Sequence, residues 1–488
     1  MSAAGAARRS GALLLLAVGA AGIATLAGAS ASAGTKATGV VVIIFAVLIA
    51  ATVLRDLTAV LLACLVLGIS YNRQFYSFDA IFGDYGPAGL YWTVADGATL
   101  ALLAAILLSA AVGRVPGRVP IRGLSIEPAM ALMICAIALS ATQMGRAFPG
   151  VVETARITKY LATFLLIRSV LNGERCWAIL AGLALLVLLQ TALGVVQVAM
   201  GAGGSGLSDI AEQTGEMAHR ATGTLGHPNM LAPFLLTFVP GFAAIAMARY
   251  PPPMRLAAGV VAVVGSLAIV LSQSRAPILG VAVAVAATAA ALAVRGLVPA
   301  KRVLGGGILL AFLATLAALP VYDRIETRLA GDFDESIAFR MGYNEAALKI
   351  WQTAPIFGVG PGGFVPALAL VDPDDAATNE AIQEFRLTVN IKTIAPVHNV
   401  YLWLLAEIGL VGLGAFLVFV ASLARLFYVA GASSSQPLAV FFVGVFWGFL
   451  AVVGEELTDF TVWWDHHMAL LMVLAAMAAV QRDSQRAA

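Results

Sequence analysis

Charge is what this sequence holds least of. Asp, Glu, Lys and Arg make up 11% of its 488 residues, while 60% are hydrophobic. A soluble domain carries about a quarter charged residues, so a water-facing surface is excluded for most of this chain. Cysteine is scarce as well: Cys64, Cys135 and Cys176 are the three present. None stands in a C-x-x-C pair, which argues against a disulfide framework or structural zinc and leaves them as small packing residues. A strong net charge is lacking too. At +2 the chain builds no field for a polyanion, and no nucleic-acid partner is expected.

What is there is long apolar runs, such as 40–54 and 231–248. A membrane span needs about 20 mostly apolar residues. The expected fold is all-α: a polytopic transmembrane helical bundle of about 12–14 spans with one long, partly helical loop. Hydropathy and periodicity place about 14 centres, near residues 20, 46, 63, 102, 133, 163, 188, 238, 264, 285, 311, 413, 445 and 473. Four regions follow: N-terminal spans over 1–200, central spans over 201–320, the long loop over 321–397 and C-terminal spans over 398–488. The N-terminus, with Arg8 and Arg9 before an apolar run, reads as an uncleaved first helix, the alternative being a cleaved signal peptide.

Lys and Arg set the orientation. With the N-terminus inside, the cytoplasmic connections hold Arg55; Arg114, Arg118 and Arg122; Arg168 and Arg175; Arg249 and Arg255; Arg295, Lys301 and Arg302; and Arg425. Arg482 and Arg486 join them at the other terminus. Their acids are few: Asp56, Glu127, Glu174 and Asp483. The long loop, the 201–226 connection and the short 272–277 junction then share the opposite face.

Four stretches on that face hold residues capable of chemistry. Arg220 precedes Gly226-His227-Pro228-Asn229, where glycine permits a tight turn and proline suits a helix start. His227 reads as a cap or a hydrogen-bonding group. Arg275, after Ser272 and Ser274, joins two apolar helices almost without a loop; it either snorkels to the interface or binds an anion, with the serines as partners. Arg340 opens a helical pattern through Tyr343, Ala347, Ile350 and Trp351, and Pro355 stops it. The Gly358–Phe364 stretch that follows is either a structural turn or a phosphate-facing one. His398-Asn399-Val-Tyr401 then begins a span, with Asn399 suited to cap it. An imidazole there can take a proton from a hydroxyl. Glu407, costly in lipid, should face the protein interior. The cluster Glu455, Glu456, Asp459, Asp465, His466 and His467 matches no metal-ligand spacing, and Asp372, Asp374 and Asp375 lack an EF-hand's Gly and Glu.

In this order, Gly-His-Pro-Asn, Ser-Arg at a helix junction and His-Asn-x-Tyr-Leu…Glu-x-Gly after a long outer loop resemble the O-antigen ligase and Wzy polymerase family. The Pro355–Phe364 stretch resembles the same family's loop, and the likeness covers about residues 200–415. The resemblance implies an inverting membrane glycosyltransferase of the bacterial inner membrane, its active site facing the periplasm. The donor would be an undecaprenyl-pyrophosphate-linked glycan, with no cofactor and no required metal. Arg220 and Arg275 would bind the pyrophosphate, with Arg340 as a third cation, and His398 would be the base. His227, Asn229, Ser274, Asn399, Tyr401 and Glu407 would support them. The acceptor would be lipid A-core or another glycolipid for a ligase, or a second lipid-linked repeat unit for a polymerase, and other polysaccharide assembly proteins are conceivable partners. A transporter and a non-catalytic envelope-assembly protein are the competing classes; the lack of an internal repeat and the one-sided polar residues weigh against the first.

Overall fold

The computed structural model describes residues 56–71, 75–76, 91–111, 123, 125–143, 147–201, 219–299, 333–364, 367–368 and 397–485. The spans expected near residues 20, 46 and 311, the aspartates at 372–375 and most of the long loop lie outside them. The described helices are α1 Leu57–Ile69, α2 Val94–Ala111, α3 Glu127–Ala141, α4 Ala147–Val170, α5 Gly173–Met200, α6 Pro228–Leu236, α7 Val239–Met247, α8 Pro252–Leu271, α9 Arg275–Val294, α10 Phe333–Thr353, α11 Val400–Ala432, α12 Pro437–Glu455 and α13 Asp465–Gln485. The strand pairing among described residues is a two-residue antiparallel contact, Phe75–Tyr76 with Tyr91–Trp92.

The protein is a polytopic helical bundle. Six described stretches are long and apolar enough to cross a membrane: α5, the α6–α7 pair, α8, α9, α11 and α12. The helices at 63 and 133 are shorter than a span should be, at 13 and 15 residues. At about 1.5 Å per residue, neither covers a hydrocarbon core of about 30 Å. The helix around 163 is long, but carries Glu153, Arg156, Lys159 and Arg168.

Proline and glycine shape the pieces that frame one end of the bundle. Pro240 has no N–H for the carbonyl of Leu236 and restricts Val239, so the stretch 228–247 divides into α6 and α7. The freed backbone meets α12 closely: a Cβ at Gly448 would stand 2.4 Å from Leu236 O. Helix α13 is buried from Asp465 to Asp483, the pattern of a helix apolar on every side at the centre of a bundle. It packs on α4 and α11, while α3 lies between α4 and α11.

Residues assigned by sequence to opposite sides separate to opposite ends of the bundle. At one end Arg168 pairs with Glu127 and, at 2.9 Å, with Asp483, while Arg175 pairs with Asp56 at 3.0 Å. At the other, hereafter the Arg220 end, Arg220 meets Ser274, and His398 meets Asp459. The Arg220 end also holds cations that the charge bias did not assign to it: Arg156 pairs with Asp465 at 3.1 Å and Lys159 with Asp96 at 3.2 Å. Each has its own carboxylate, which removes the penalty a lone cation would meet there.

Candidate active site

This end of the bundle is built around Arg220, which is 4% exposed. Its turn is held from behind by two buried glutamines of α5. Gln197 Oε1 accepts from Thr222 N at 3.0 Å and Gly223 N at 2.9 Å, and Gln190 Oε1 accepts from Thr224 N at 2.8 Å. Gly223 and Gly226 take left-handed φ of 57° and 80°, which lets the chain reverse into α6. His227 caps α6, its Nδ1 accepting from Asn229 N at 3.1 Å, and Pro228 takes the first helical position.

Arg220 donates through Nε to Ser272 O at 2.8 Å, and through one terminal nitrogen to Ser274 Oγ at 3.2 Å and Asn229 Oδ1 at 3.1 Å. The Ser272 carbonyl and the Ser274 hydroxyl thus serve Arg220, whereas the sequence reading set the two serines beside Arg275. The reason is backbone geometry. Gln273 sits at φ 55°, a left-handed conformation costing a non-glycine residue roughly 1–2 kcal/mol. Its side chain is tied to His219 O at 3.0 Å. This twist turns the 272–274 junction inward, over Arg220. Arg275 follows as the first residue of α9 and is partly exposed.

Asn229 links this arginine to a carboxylate. Its Oδ1 also accepts from Ser274 Oγ at 2.8 Å, and its Nδ2 donates to Asp459 Oδ2 at 3.2 Å. Asp459 Oδ1 accepts from Phe460 N at 2.9 Å and lies 3.8 Å from His398 Nδ1, an ion-pair separation longer than a hydrogen bond. Burial alone would raise the Asp459 carboxyl. His398, the Phe460 N–H and the charge of His227 outweigh it and hold the group below the usual carboxylate range. His398 keeps 31% of its side chain exposed and rests edge-on against Phe460. With Nδ1 turned to the carboxylate, Nε2 is left to accept a proton, the arrangement a positioned base requires.

The start of α11 secures His398. Asn399 Oδ1 accepts from Tyr401 N and Leu402 N, both at 3.1 Å, as a helix cap. Val400 N donates to Glu456 O and Asp459 O, which docks α11 on the end of α12. Tyr401 donates to Val453 O at 2.6 Å and packs on Phe416, so it braces this docking. Arg340 is partly exposed on α10, three residues before Tyr343, which is buried with Val397 in one small core.

The Gly-rich turn is not turned toward a phosphate. Its N–H groups at Gly362 and Phe364 donate to the carboxylate of Glu407 at 2.9 and 3.2 Å. A phosphate-facing reading therefore gives way to the structural one. Glu407 faces the interior, 6% exposed, and these bonds are its compensation for leaving water.

The acidic cluster also divides. Asp459 joins His398; Glu456 accepts from Thr461 Oγ1 at 2.5 Å and Val462 N at 2.8 Å; Asp465 pairs with Arg156; His467 Nε2 lies 2.9 Å from Thr237 Oγ1. Among the described residues no group of three or more His, Cys, Asp or Glu is arranged to hold a metal.

Sequence reasoning missed Asp459 as the partner of His398, and missed Gln190 and Gln197 as supports. The glutamines left a signal: two amides seven residues apart, on one face of an otherwise apolar helix. Asp459 left none, since its distance along the chain from His398 carries no motif.

These features define a multi-pass membrane protein with a buried arginine joined through an amide to an imidazole–carboxylate pair at one end of its bundle. Residues 260–417 match the family model Wzy_C, described as O-antigen ligase, which supports that family for this chain. The match includes Ser274, Arg275, Arg340, His398, Asn399, Tyr401 and Glu407, whereas Arg220, His227, Asn229 and Asp459 lie outside it and are joined to it by folding. No curated protein matches the chain. The family supports a membrane glycan-transfer function.

Proposed function

We propose that this protein is an O-antigen ligase-type glycosyltransferase. It moves a glycan from undecaprenyl pyrophosphate to lipid A-core or another glycoconjugate, with inversion, on the periplasmic face of the inner membrane. The observation that carries this reading is the chain of contacts from Arg220 through Asn229 to Asp459 and His398, with Arg275 beside it. One arm of the site is cationic and the other is a base, which is what displacement of a diphosphate by a hydroxyl needs.

In this mechanism the acceptor oxygen attacks the anomeric carbon from the side opposite the pyrophosphate. The carbon–oxygen bond to the pyrophosphate breaks, and its electron pair leaves with the phosphate. The acceptor proton passes to His398 Nε2, while Asp459 orients the ring and stabilises the imidazolium that forms. A positioned base contributes roughly 100- to 10,000-fold. Charge growing on the leaving group is met by guanidinium groups, and losing one such donor costs about 3–4 kcal/mol of barrier. Arginine suits this task because its planar fork donates paired bonds to phosphate. No residue in this scheme calls for a metal or a nucleotide sugar.

The test is transfer from a lipid-linked glycan by purified protein in lipid. Wild type transfers; His398→Ala and Arg275→Ala lose at least 99% of the rate. Full activity in both variants would remove the assigned roles. Lipids extracted from a deletion strain separate the ligase from a Wzy-type polymerase: long unattached chains mark a ligase, and a single accumulating repeat unit marks a polymerase.

A further inference from the structure

Helix α11 is broken at Gly409, which stands at φ 67° and ψ −168°, a conformation favouring glycine. The break takes the carbonyls of Ala406 and Glu407 and the N–H groups of Leu410 and Val411 out of the helix ladder. In an apolar bundle each must find another partner. All four are satisfied by one segment of the long loop. Val359 N donates to Ala406 O at 3.0 Å and Gly360 N to Glu407 O at 2.8 Å; Leu410 N donates to Pro355 O at 3.0 Å and Val411 N to Ile356 O at 3.1 Å. The two strands of chain touch so closely that a Cβ at Gly409 would stand 2.4 Å from Ile356 O.

The Glu407 side chain extends this seam past the backbone bonds, to Gly362 N and Phe364 N. Phe364 is where the turn meets α10: with Leu368 it packs against Tyr343, Ala347 and Ile350 in a small core of its own. Helix α10 carries Arg340 three residues before Tyr343, and the same small core holds Val397, the residue before His398.

We infer that Glu407 is a positioning residue: by fastening the 358–364 turn to α11 it fixes α10, and so sets Arg340 beside the site opened by His398. Residues 333–364 of the long connection are on this account a fixed wall of the site. The inference rests on the reading of Arg340 as a third pyrophosphate-binding cation beside Arg220 and Arg275.

The experiment uses the full chain in lipid nanodiscs, with undecaprenyl pyrophosphate as the probe. Amide exchange over 358–364 and probe affinity are measured for wild type, Glu407→Gln, Glu407→Ala, Arg340→Ala and the double Ala variant. In Glu407→Ala, exchange at Gly362 and Phe364 rises, and affinity falls roughly tenfold, the size of one lost hydrogen bond to a charged group. Glu407→Gln, which keeps one acceptor oxygen, recovers part of both. The double variant binds no more weakly than Arg340→Ala alone, because Glu407 acts through Arg340. Additive losses, or unchanged exchange in Glu407→Ala with wild type binding the probe, overturn the inference. A wild-type protein that ignores the probe overturns instead the phosphate-binding reading, and with it the role given to Arg340, while the exchange measurement still decides whether Glu407 holds the turn.

Discussion

Asn229 Nδ2 lies 3.2 Å from Asp459 Oδ2, across 230 positions of chain. The same side chain accepts from Arg220 and Ser274, so one amide joins the guanidinium to the carboxylate that faces His398. Asn229→Leu cuts both connections. Turnover of lipid-linked glycan is expected to fall roughly 10- to 100-fold, the equivalent of a lost hydrogen bond to a charged group. Unchanged steady-state rates would show that the two arms work independently.

Asp459→Asn keeps the shape and removes the charge beside His398. Catalysis should drop while the Michaelis constant for the lipid donor stays within about twofold, since an orienting carboxylate acts on the chemical step. Kinetics over a range of donor concentrations measure the two separately.

Gln197→Leu leaves Thr222 N and Gly223 N buried behind the Arg220 turn without their acceptor. The expected loss of stability is about 1–3 kcal/mol. A thermal melt of detergent-purified protein would reveal it, and a melt equal to wild type would mean that the turn finds other partners.

Glu456 gives stability a pH dependence. Burial pushes its carboxyl up to about 8, against the opposing bonds from Thr461 and Val462 and with help from the Asp459 charge. A raised carboxyl pKa means that the folded state binds the proton more tightly than the unfolded one. Stability therefore declines as pH rises from the ordinary value of 4.5 toward about 8, and levels off above that. Asp459 works in the opposite sense: its lowered value contributes stability above the usual carboxylate range, lost as pH falls through the folded value. Glu456→Gln should flatten the decline between roughly pH 5 and pH 8 in melting curves, and an unaltered slope would argue against the assignment.

Much of the site was legible as a set of residue types. Arg220, His227, Asn229, Ser274, Arg275 and His398 stood out because polar groups are rare beside membrane helices and cost energy there. The caps at His227 and Asn399 were readable too, since capping is a contact over two or three residues. The sequence reading set Ser272 and Ser274 beside Arg275, their neighbour in the chain, and did not find Arg220 as their partner. The left-handed φ of Gln273 turned the junction toward Arg220, a rotation that no residue preference announces. The Gly-rich turn stayed open between a structural turn and an anion nest for a similar reason: its glycines allow the N–H groups to converge, but Glu407, in a different helix, decides on what.

Composition by itself determined the medium and the helical class, and charge bias sorted several of the described polar residues, though not Arg156 or Lys159, to the two ends of a bundle. Those follow from desolvation, which acts on each segment as it stands. Only the tertiary structure decided that Arg220 answers to Ser274 and Asn229, that Asp459 faces His398, and that Glu407 secures a loop. Each of those depends on pairing groups dozens to hundreds of residues apart, and such pairings exist only once the helices have packed.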